Sequence, residues 1–235
     1  MASTIPTVRD GERESRVAVQ DYVKAIWTVA SDSDDGEVAT GAIASQLGVS
    51  PASVSGMVRR LETDGLVVRE PYRGVRLTDH GRSLALEMVR HHRLLESFLA
   101  RALGMSWDRI HAEAEVLEHH ISEELEELID AHLGRPEFDP HGHPIPRRDG
   151  TVPDQRLRAL PDLTVGESAT VAQVRDDSPE VLRYLDEHGL AIGAPITMLA
   201  SDTIAGTITV SIATGEPIVL GTALAERIDL DGSVG

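Results

Sequence analysis

An acidic segment, His111–His120, carries the residues with the clearest potential for chemistry. Read as a helix with 3.6 residues per turn, it places His111, Glu115, Glu118 and His119 on neighbouring turns of one face. Imidazole nitrogens and carboxylate oxygens presented together can bind a divalent cation. Residues 111–130 contain eight acidic residues and no lysine or arginine, so a cation would also offset their mutual repulsion. The alternative interpretation is a solvated acidic face that binds nothing.

The composition limits the classes of protein to which the chain can belong. A length of 235 residues allows one to three domains, and the absence of cysteine excludes disulfides, thiolate metal ligands and a cysteine nucleophile. The first residues lack a signal-peptide pattern and no long apolar run occurs, so we expect a soluble cytoplasmic protein. Residues 1–80 sum to about −3 of the net charge of −17, so a nucleic-acid surface should lie in the first third.

Two short predicted helices in this first third form a helix-turn-helix pattern. They span residues 38–47 and 51–61 around a glycine-containing turn, with Ser50 suited to the N-cap and Pro51 to the first helical position. A helix from about Val19 to Ser31 should precede them, after a disordered start over residues 1–14. Residues 66–78 predict a two-stranded wing. The residues expected to approach bases or phosphates are Ser50, Ala52, Ser53, Ser55, Arg59, Arg60 and Arg73.

The rest of the chain predicts long helices followed by a small all-β domain. An amphipathic helix to about Ala102 carries His92 and Glu96 one turn apart, and one further helix should run from Trp107 to about Leu133. In the proline-rich segment that follows, His141 and His143 could bind metal, but a structural turn is favoured. Alternating β-branched runs from residue 160, interrupted by a helix at 179–187, predict a small barrel. The expected domains are 1–78, 79–146 and 159–235, with a linker at 147–158.

Several of these segments together resemble the diphtheria-toxin-repressor family of metal-dependent transcriptional regulators. Their order and spacing are more specific than any one of them. The segments are Asp21-Tyr22, Gly65–Val67, Leu77–Gly81, His92–Glu96, Glu115–His119 and Asp139–Pro146. The resemblance covers nearly the whole chain and implies a mainly α fold with a winged helix-turn-helix, a helical dimerisation domain and a small Src-homology-like barrel.

The resemblance also implies two metal sites. A regulatory site would use Asp21, Glu115, Glu118 and His119, so that one ion ties the DNA-binding domain to the dimerisation helices. An ancillary site would use His92, Glu96 and His111. In three-domain members the barrel can add an oxygen ligand to this second site. Asp177 or Glu180 is in the corresponding segment, and Glu180 completes the predicted ligand set.

The types of ligand in the predicted sites indicate which metal they bind. Iron-sensing members have methionine and cysteine where this chain has Asp21 and Glu115, and a hard set of oxygens and imidazoles suits Mn²⁺. Lys24 is at the position where two-domain manganese regulators have a glutamate, which argues against a tightly coupled pair of manganese ions that share that carboxylate. The resemblance thus implies a homodimeric Mn²⁺-dependent repressor of manganese-uptake genes that binds palindromic operators.

Three alternatives stay open at this point. The chain could be an iron-dependent regulator of the same family, or a winged-helix regulator that responds to an organic ligand. A metallohydrolase or di-iron enzyme is disfavoured because neither a His-Glu-x-x-His nor a Glu-x-x-His motif occurs in the acidic helix. We therefore do not expect an enzyme.

Overall fold

The structure, a computed structural model, describes residues 10–31, 36–70, 74–213 and 215–231. The chain divides into two compact units, which we describe separately. The first comprises residues 1–90 and 148–150, and the second comprises 91–147 and 151–235. No helix within the described ranges is long and apolar enough to cross a membrane.

The first unit contains the predicted winged helix-turn-helix. Its elements are α1 (Asp10–Ser31), α2 (Thr40–Leu47), α3 (Pro51–Thr63), β1 (Val67–Glu70), β2 (Gly74–Leu77) and the start of α4 (Asp79–Leu103). The prediction that helical structure begins only after residue 14 is wrong, because α1 already begins at Asp10. Glutamate and arginine are good helix formers, so this charged first part is helical without an apolar stripe.

The turn between α2 and α3 has the expected chemistry. Gly48 ends α2 with a left-handed φ of 63°, which glycine adopts without strain. The Ser50 side chain accepts a hydrogen bond from the backbone N–H of Ser53 at 3.2 Å and caps α3. Val54 and Val58 are buried on the inner face of α3, so its other face is left for solvent. The helix-turn-helix and its wing are therefore confirmed.

The helices of the second unit differ from the sequence prediction at one important place. Instead of one helix from Trp107 to Leu133, the structure has α5 (Trp107–Leu117) and α6 (Glu123–His132). Residues 118–120 form a turn, and the Ser122 side chain accepts from the backbone N–H of Leu125 at 3.2 Å to begin α6. Glu118 still has α-helical dihedrals and its N–H donates to the carbonyl of Ala114, so the regular helix ends at Glu118 and His119 lies beyond it. The cap at Ser122, followed by three acidic residues in the first turn, stabilises a new helix start there.

The end of the second unit is an antiparallel six-stranded sheet. Its strands are β3 (Leu157–Ala159), β4 (Ser168–Val174), β5 (Pro195–Asp202), β6 (Thr207–Ile212), β7 (Ile218–Gly221) and β8 (Ile228–Asp231), in the order β3-β8-β4-β5-β6-β7. Helix α7 (Pro179–Glu187) lies where predicted, and a short α8 (Thr222–Ala225) follows β7. Strands β3 and β8, which are only three and four residues long, were not predicted from the sequence. The predicted fold class, mainly α with a small all-β C-terminal domain, is confirmed.

Candidate metal centre

Two helices of the second unit each present a pair of ligand-type side chains. His92 and Glu96 lie one turn apart on α4, and His111 and Glu115 lie one turn apart on α5. Leu94 and Leu95 of α4 pack in one apolar cluster with Ala114 of α5, which holds the two helices together at this level. The predicted ancillary ligands His92, Glu96 and His111 are brought together in this way.

Three ligand-type atoms form a small triangle, which we call the α4–α5 triad: His92 Nε2, Glu96 Oε1 and His111 Nδ1. The nitrogen of His92 is 3.0 Å from the Glu96 oxygen and 3.1 Å from the nitrogen of His111, and the third side is 3.3 Å. Adjacent ligands of an octahedral ion with bonds of about 2.1 Å are separated by about 3.0 Å. The triad therefore fits a divalent cation in both donor type and spacing.

The other ring nitrogen of His92 contacts a buried carboxylate. His92 Nδ1 is 2.6 Å from Oε2 of Glu118, whose side chain is fully buried. The carboxylate oxygen of Glu118 accepts from Nδ1, so an ion at the triad would bind Nε2, in place of the proton that Nε2 shares with Glu96. Such a carboxylate–histidine pair is the usual support of a metal-binding imidazole. Glu118, predicted as a regulatory ligand, thus also orients a residue of the predicted ancillary site.

Glu115 and His119 surround the same region. Oε1 of Glu115 is 3.5 Å from His92 Nδ1 and 3.8 Å from His111 Nε2, and its side chain is 41% exposed. The buried ring of His119 has Nε2 3.7 Å from Oε1 of Glu118. Three of the four predicted regulatory ligands therefore lie in the turn and helix end of the second unit. The fourth, Asp21, is half-buried on α1 of the first unit, so its place in the site stays a prediction.

The all-β domain offers two candidate oxygen ligands, Asp177 and Glu180, and the structure distinguishes between them. Oδ2 of Asp177 is 3.3 Å from Nε2 of His111. Glu180 instead lies 3.5 Å from Arg183 and its side chain is 80% exposed. Asp176 anchors the segment, because its Oδ1 accepts from the backbone N–H of Ser178 at 2.8 Å. Asp177, rather than Glu180, is therefore the better candidate for the added oxygen ligand.

Glu96 is the buried carboxylate that the histidines of the metal centre surround. Burial alone would raise its pKa, but His92 and hydrogen bonds from His111 and His141 outweigh burial and hold the pKa well below its ordinary value. For His141, burial lowers the pKa, but Glu96 and Asp139 together raise it above its ordinary value. Glu96 is therefore an ionised, buried carboxylate surrounded by imidazoles.

The predicted DNA-contacting side chains lie on the exposed face of the helix-turn-helix. Within it, Ser50 and Ser53 hydroxyls are 2.9 Å apart, Ser55 donates to the carbonyl of Pro51, and Arg60 is 3.6 Å from Asp64. The exposed residues of the predicted set are Ser50, Ala52, Ser53, Ser55, Arg59 and Arg60. Arg73 lies outside the described residues.

Comparison with known proteins identifies the class. The iron-dependent repressor N-terminal DNA-binding domain matches residues 17–75, the iron-dependent repressor metal-binding and dimerisation domain matches 78–147, and the FeoA domain matches 158–231. The iron-dependent repressor IdeR of Mycobacterium leprae is 31% identical over 202 residues, covering 80% of this chain and 86% of that relative. The chain therefore belongs to the diphtheria-toxin-repressor family of metal-dependent transcriptional repressors.

Within this family, the chain is similar to manganese-dependent members. A solved structure of a manganese-dependent transcriptional repressor in complex with manganese is 43% identical, with a TM-score of 0.84, and the match covers 91% of this chain and 99% of that one. The HTH-type transcriptional regulator MntR of Lysinibacillus sphaericus is 38% identical over 105 residues, covering 45% of this chain and 73% of that relative. The resemblance to the three-domain, manganese-responsive members is confirmed.

Proposed function

We propose that this protein is a cytoplasmic Mn²⁺-dependent repressor that binds palindromic operators of manganese-uptake genes as a homodimer. The observation that carries the proposal is the donor set of the metal centre. Every side chain gathered there is a carboxylate or an imidazole, and the chain has no cysteine to add a soft ligand. Hard oxygen ligands with imidazole suit Mn²⁺, and geometry and ligand type must select it because its intrinsic affinity is the lowest of the series.

Two ion positions would act together in this repressor. The α4–α5 triad would hold one ion with help from Asp177, and Glu115, Glu118 and His119 would hold the other with Asp21. The 2.6 Å pair between His92 and Glu118 connects the two ligand sets directly. When bound, each ion supplies a positive charge that fixes carboxylates otherwise held apart by repulsion. An allosteric coupling of about 1–3 kcal/mol is ordinary and corresponds to 5–150-fold tighter DNA binding.

An exposed apolar surface on α5 and α6 supports the homodimer. Val116 and Leu128 are 65% and 61% exposed, and Leu117 and Leu125 are also exposed. Large apolar side chains that are exposed on a helix favour burial in a partner interface. A two-fold dimer would present two copies of α3, which matches the symmetry of a palindromic operator.

The test is a metal titration coupled to operator retention at fixed salt concentration. Wild-type protein should retain operator DNA with Mn²⁺ at concentrations where anaerobic Fe²⁺ has little effect, and a chelator should reverse the retention. Glu115→Ala should lose the metal response, whereas Glu113→Ala, which removes an exposed glutamate from the same helix, should keep it. Equal or better activation by Fe²⁺ would instead assign the iron-dependent role of the Mycobacterium leprae relative. Mn²⁺-dependent retention by Glu115→Ala would refute the proposed site.

A further inference from the structure

A second group of ligand-type side chains lies in the proline-rich loop after α6, outside the sites described above. Asp139, His141 and His143 each offer a ligand atom within 4.8 Å of the other two. Oδ2 of Asp139 is 3.4 Å from Nδ1 of His143. Two ligands of a tetrahedral ion with bonds of about 2.1 Å are separated by about 3.4 Å. We propose that this loop is a third metal site, for a borderline divalent cation of the Zn²⁺ class.

The carboxylate of Asp139 provides the independent observation for this site. Its side chain is 1% exposed, and Oδ2 has no hydrogen-bond partner among the residues that the structure describes. Oδ1 accepts from the backbone N–H groups of His141 and His143 at 2.8 and 3.0 Å, so the carboxylate is fixed with its second oxygen directed toward the His143 ring. A buried carboxylate oxygen without a hydrogen bond is costly, and a cation removes that cost.

Each histidine has a nitrogen suited to ligation. His141 Nε2 donates to the carbonyl oxygen of Trp107 at 3.1 Å, so an ion would bind through Nδ1, in place of the proton that Nδ1 shares with Glu96. The Trp107 ring stacks on His141 with centroids 5.7 Å apart, which holds the imidazole plane. The side chain of His143 is 26% exposed, so an ion can enter from solvent and keep water in the remaining coordination positions.

Backbone contacts with strand β4 hold the loop in place. Gly142, between the two histidines, is buried with φ of +86°, and a Cβ there would lie 1.9 Å from the carbonyl oxygen of Ala172. The carbonyl of His141 accepts from the N–H of Val174, so the loop is fixed on strand β4. A ligand set on such a loop binds with little ordering cost.

The charge balance of the buried region also favours a cation. Arg93 has Nε 3.7 Å from Oδ2 of Asp139, and burial lowers its pKa while Asp139 and Glu96 raise it. One guanidinium therefore faces two buried carboxylates. His141 lies between the same two groups, with Nδ1 3.7 Å from Oε2 of Glu96. An ion at the loop would offset the charge of Asp139, whose guanidinium partner Arg93 also faces Glu96.

The experiment measures zinc per chain in the full-length protein by equilibrium dialysis and elemental analysis. His143→Gln should bind one zinc fewer than wild type, with at least about tenfold weaker affinity at the affected step. His143→Asp, which restores a ligand, should keep the third ion, and His80→Gln, an exposed histidine on α4, should behave as wild type. Asp139→Asn, which keeps the oxygen that caps the loop, should lose the ion as His143→Gln does.

Two results separate this inference from the proposed function. His143→Gln should retain operator DNA with Mn²⁺ as wild type does, because the loop site is distinct from the α4–α5 triad. Equal zinc stoichiometry in wild type, His143→Gln and Asp139→Asn would overturn the third site without affecting the repressor assignment. Loss of Mn²⁺-dependent DNA retention by Glu115→Ala, together with an unchanged loop ion, would support both.

Discussion

Replacing Glu96 by glutamine tests the metal centre at its most buried carboxylate. The side chain is 3% exposed, and its Oε1 is 3.0 Å from His92 Nε2 and 3.3 Å from His111 Nδ1. Glutamine keeps the volume but removes the charge and one acceptor oxygen. Because the pKa of Glu96 is well below its ordinary value, the carboxylate is ionised at neutral pH and favours the folded state. The substitution should therefore affect both the metal-free protein and metal binding.

The magnitudes follow from the partners of this carboxylate. Hydrogen bonds to charged groups contribute about 1.5–3 kcal/mol, so metal-free Glu96→Gln should lose about 2–3 kcal/mol of unfolding free energy. At a free Mn²⁺ concentration 100 times Kd, binding stabilises by about 2.7 kcal/mol, and a 100-fold weaker Kd reduces this to about 0.4 kcal/mol. At about 2–4 °C per kcal/mol, the metal-induced rise in Tm should shrink by about 5–9 °C.

The assay is thermal unfolding with and without Mn²⁺ in an Asp21→Ala background, which removes the predicted regulatory ligand and leaves the α4–α5 triad. Glu126→Gln is the matched control, since Glu126 is also 3% exposed and faces one imidazole, with Oε2 3.2 Å from Nε2 of His91. Without metal, Glu126→Gln should be less stable than the Asp21→Ala parent. With Mn²⁺, its Tm should rise by the same amount as that of the parent. If Glu96→Gln keeps the full rise as well, the triad does not bind the ion and the argument from its spacing fails.

Three further predictions concern the framework of the second unit. Asp176→Asn should destabilise it by about 1–3 kcal/mol, because Asp176 accepts from Ser178 and pairs with Arg227. These interactions outweigh burial and lower the pKa of Asp176, so its contribution is full above the ordinary carboxyl range and should be lost in acid unfolding scans as pH falls through the lowered pKa. Gly142→Ala should cost about 3 kcal/mol in denaturant titrations, because its Cβ would overlap a backbone carbonyl. Leu128→Glu should sediment as a folded monomer and lose operator retention, since it places a charge on the exposed apolar surface.

The part of the site that depends on helical spacing was predictable from the sequence. His92 with Glu96 and His111 with Glu115 are both four residues apart within helices, and the structure places each pair on one turn. The pairing of α4 with α5 in space does not follow from spacing within either helix, and the family resemblance supplied it. The choice between Asp177 and Glu180 depended on the approach of a distant loop to α5, and the sequence prediction selected the one that lies farther out.

The break between α5 and α6 was missed although a local signal was present. Apolar residues recur at helical spacing through the acidic segment, so the pattern indicated one continuous helix. Ser122, followed by Glu123, Glu124 and Glu126, is a normal helix start with a capping hydroxyl and an acidic first turn. The apolar period shows which side chains are buried. Two successive helices that share one core can have the same apolar period as one continuous helix. A capping residue inside a periodic segment is the observation that distinguishes the two cases.

The end of α5 places Glu118 against two histidines of α4. Glu118 still has α-helical dihedrals, and its backbone N–H donates to the carbonyl of Ala114 at 2.9 Å. Its carboxylate is fully buried and reaches His92 Nδ1, while its backbone carbonyl lies 3.2 Å from Nδ1 of His91. Glu118 thereby contacts two adjacent histidines of α4 through different groups. An ion bound by Glu118 on one side and an ion bound by His92 on the other would each favour the same position of this helix end, which gives the two proposed sites a direct route of coupling.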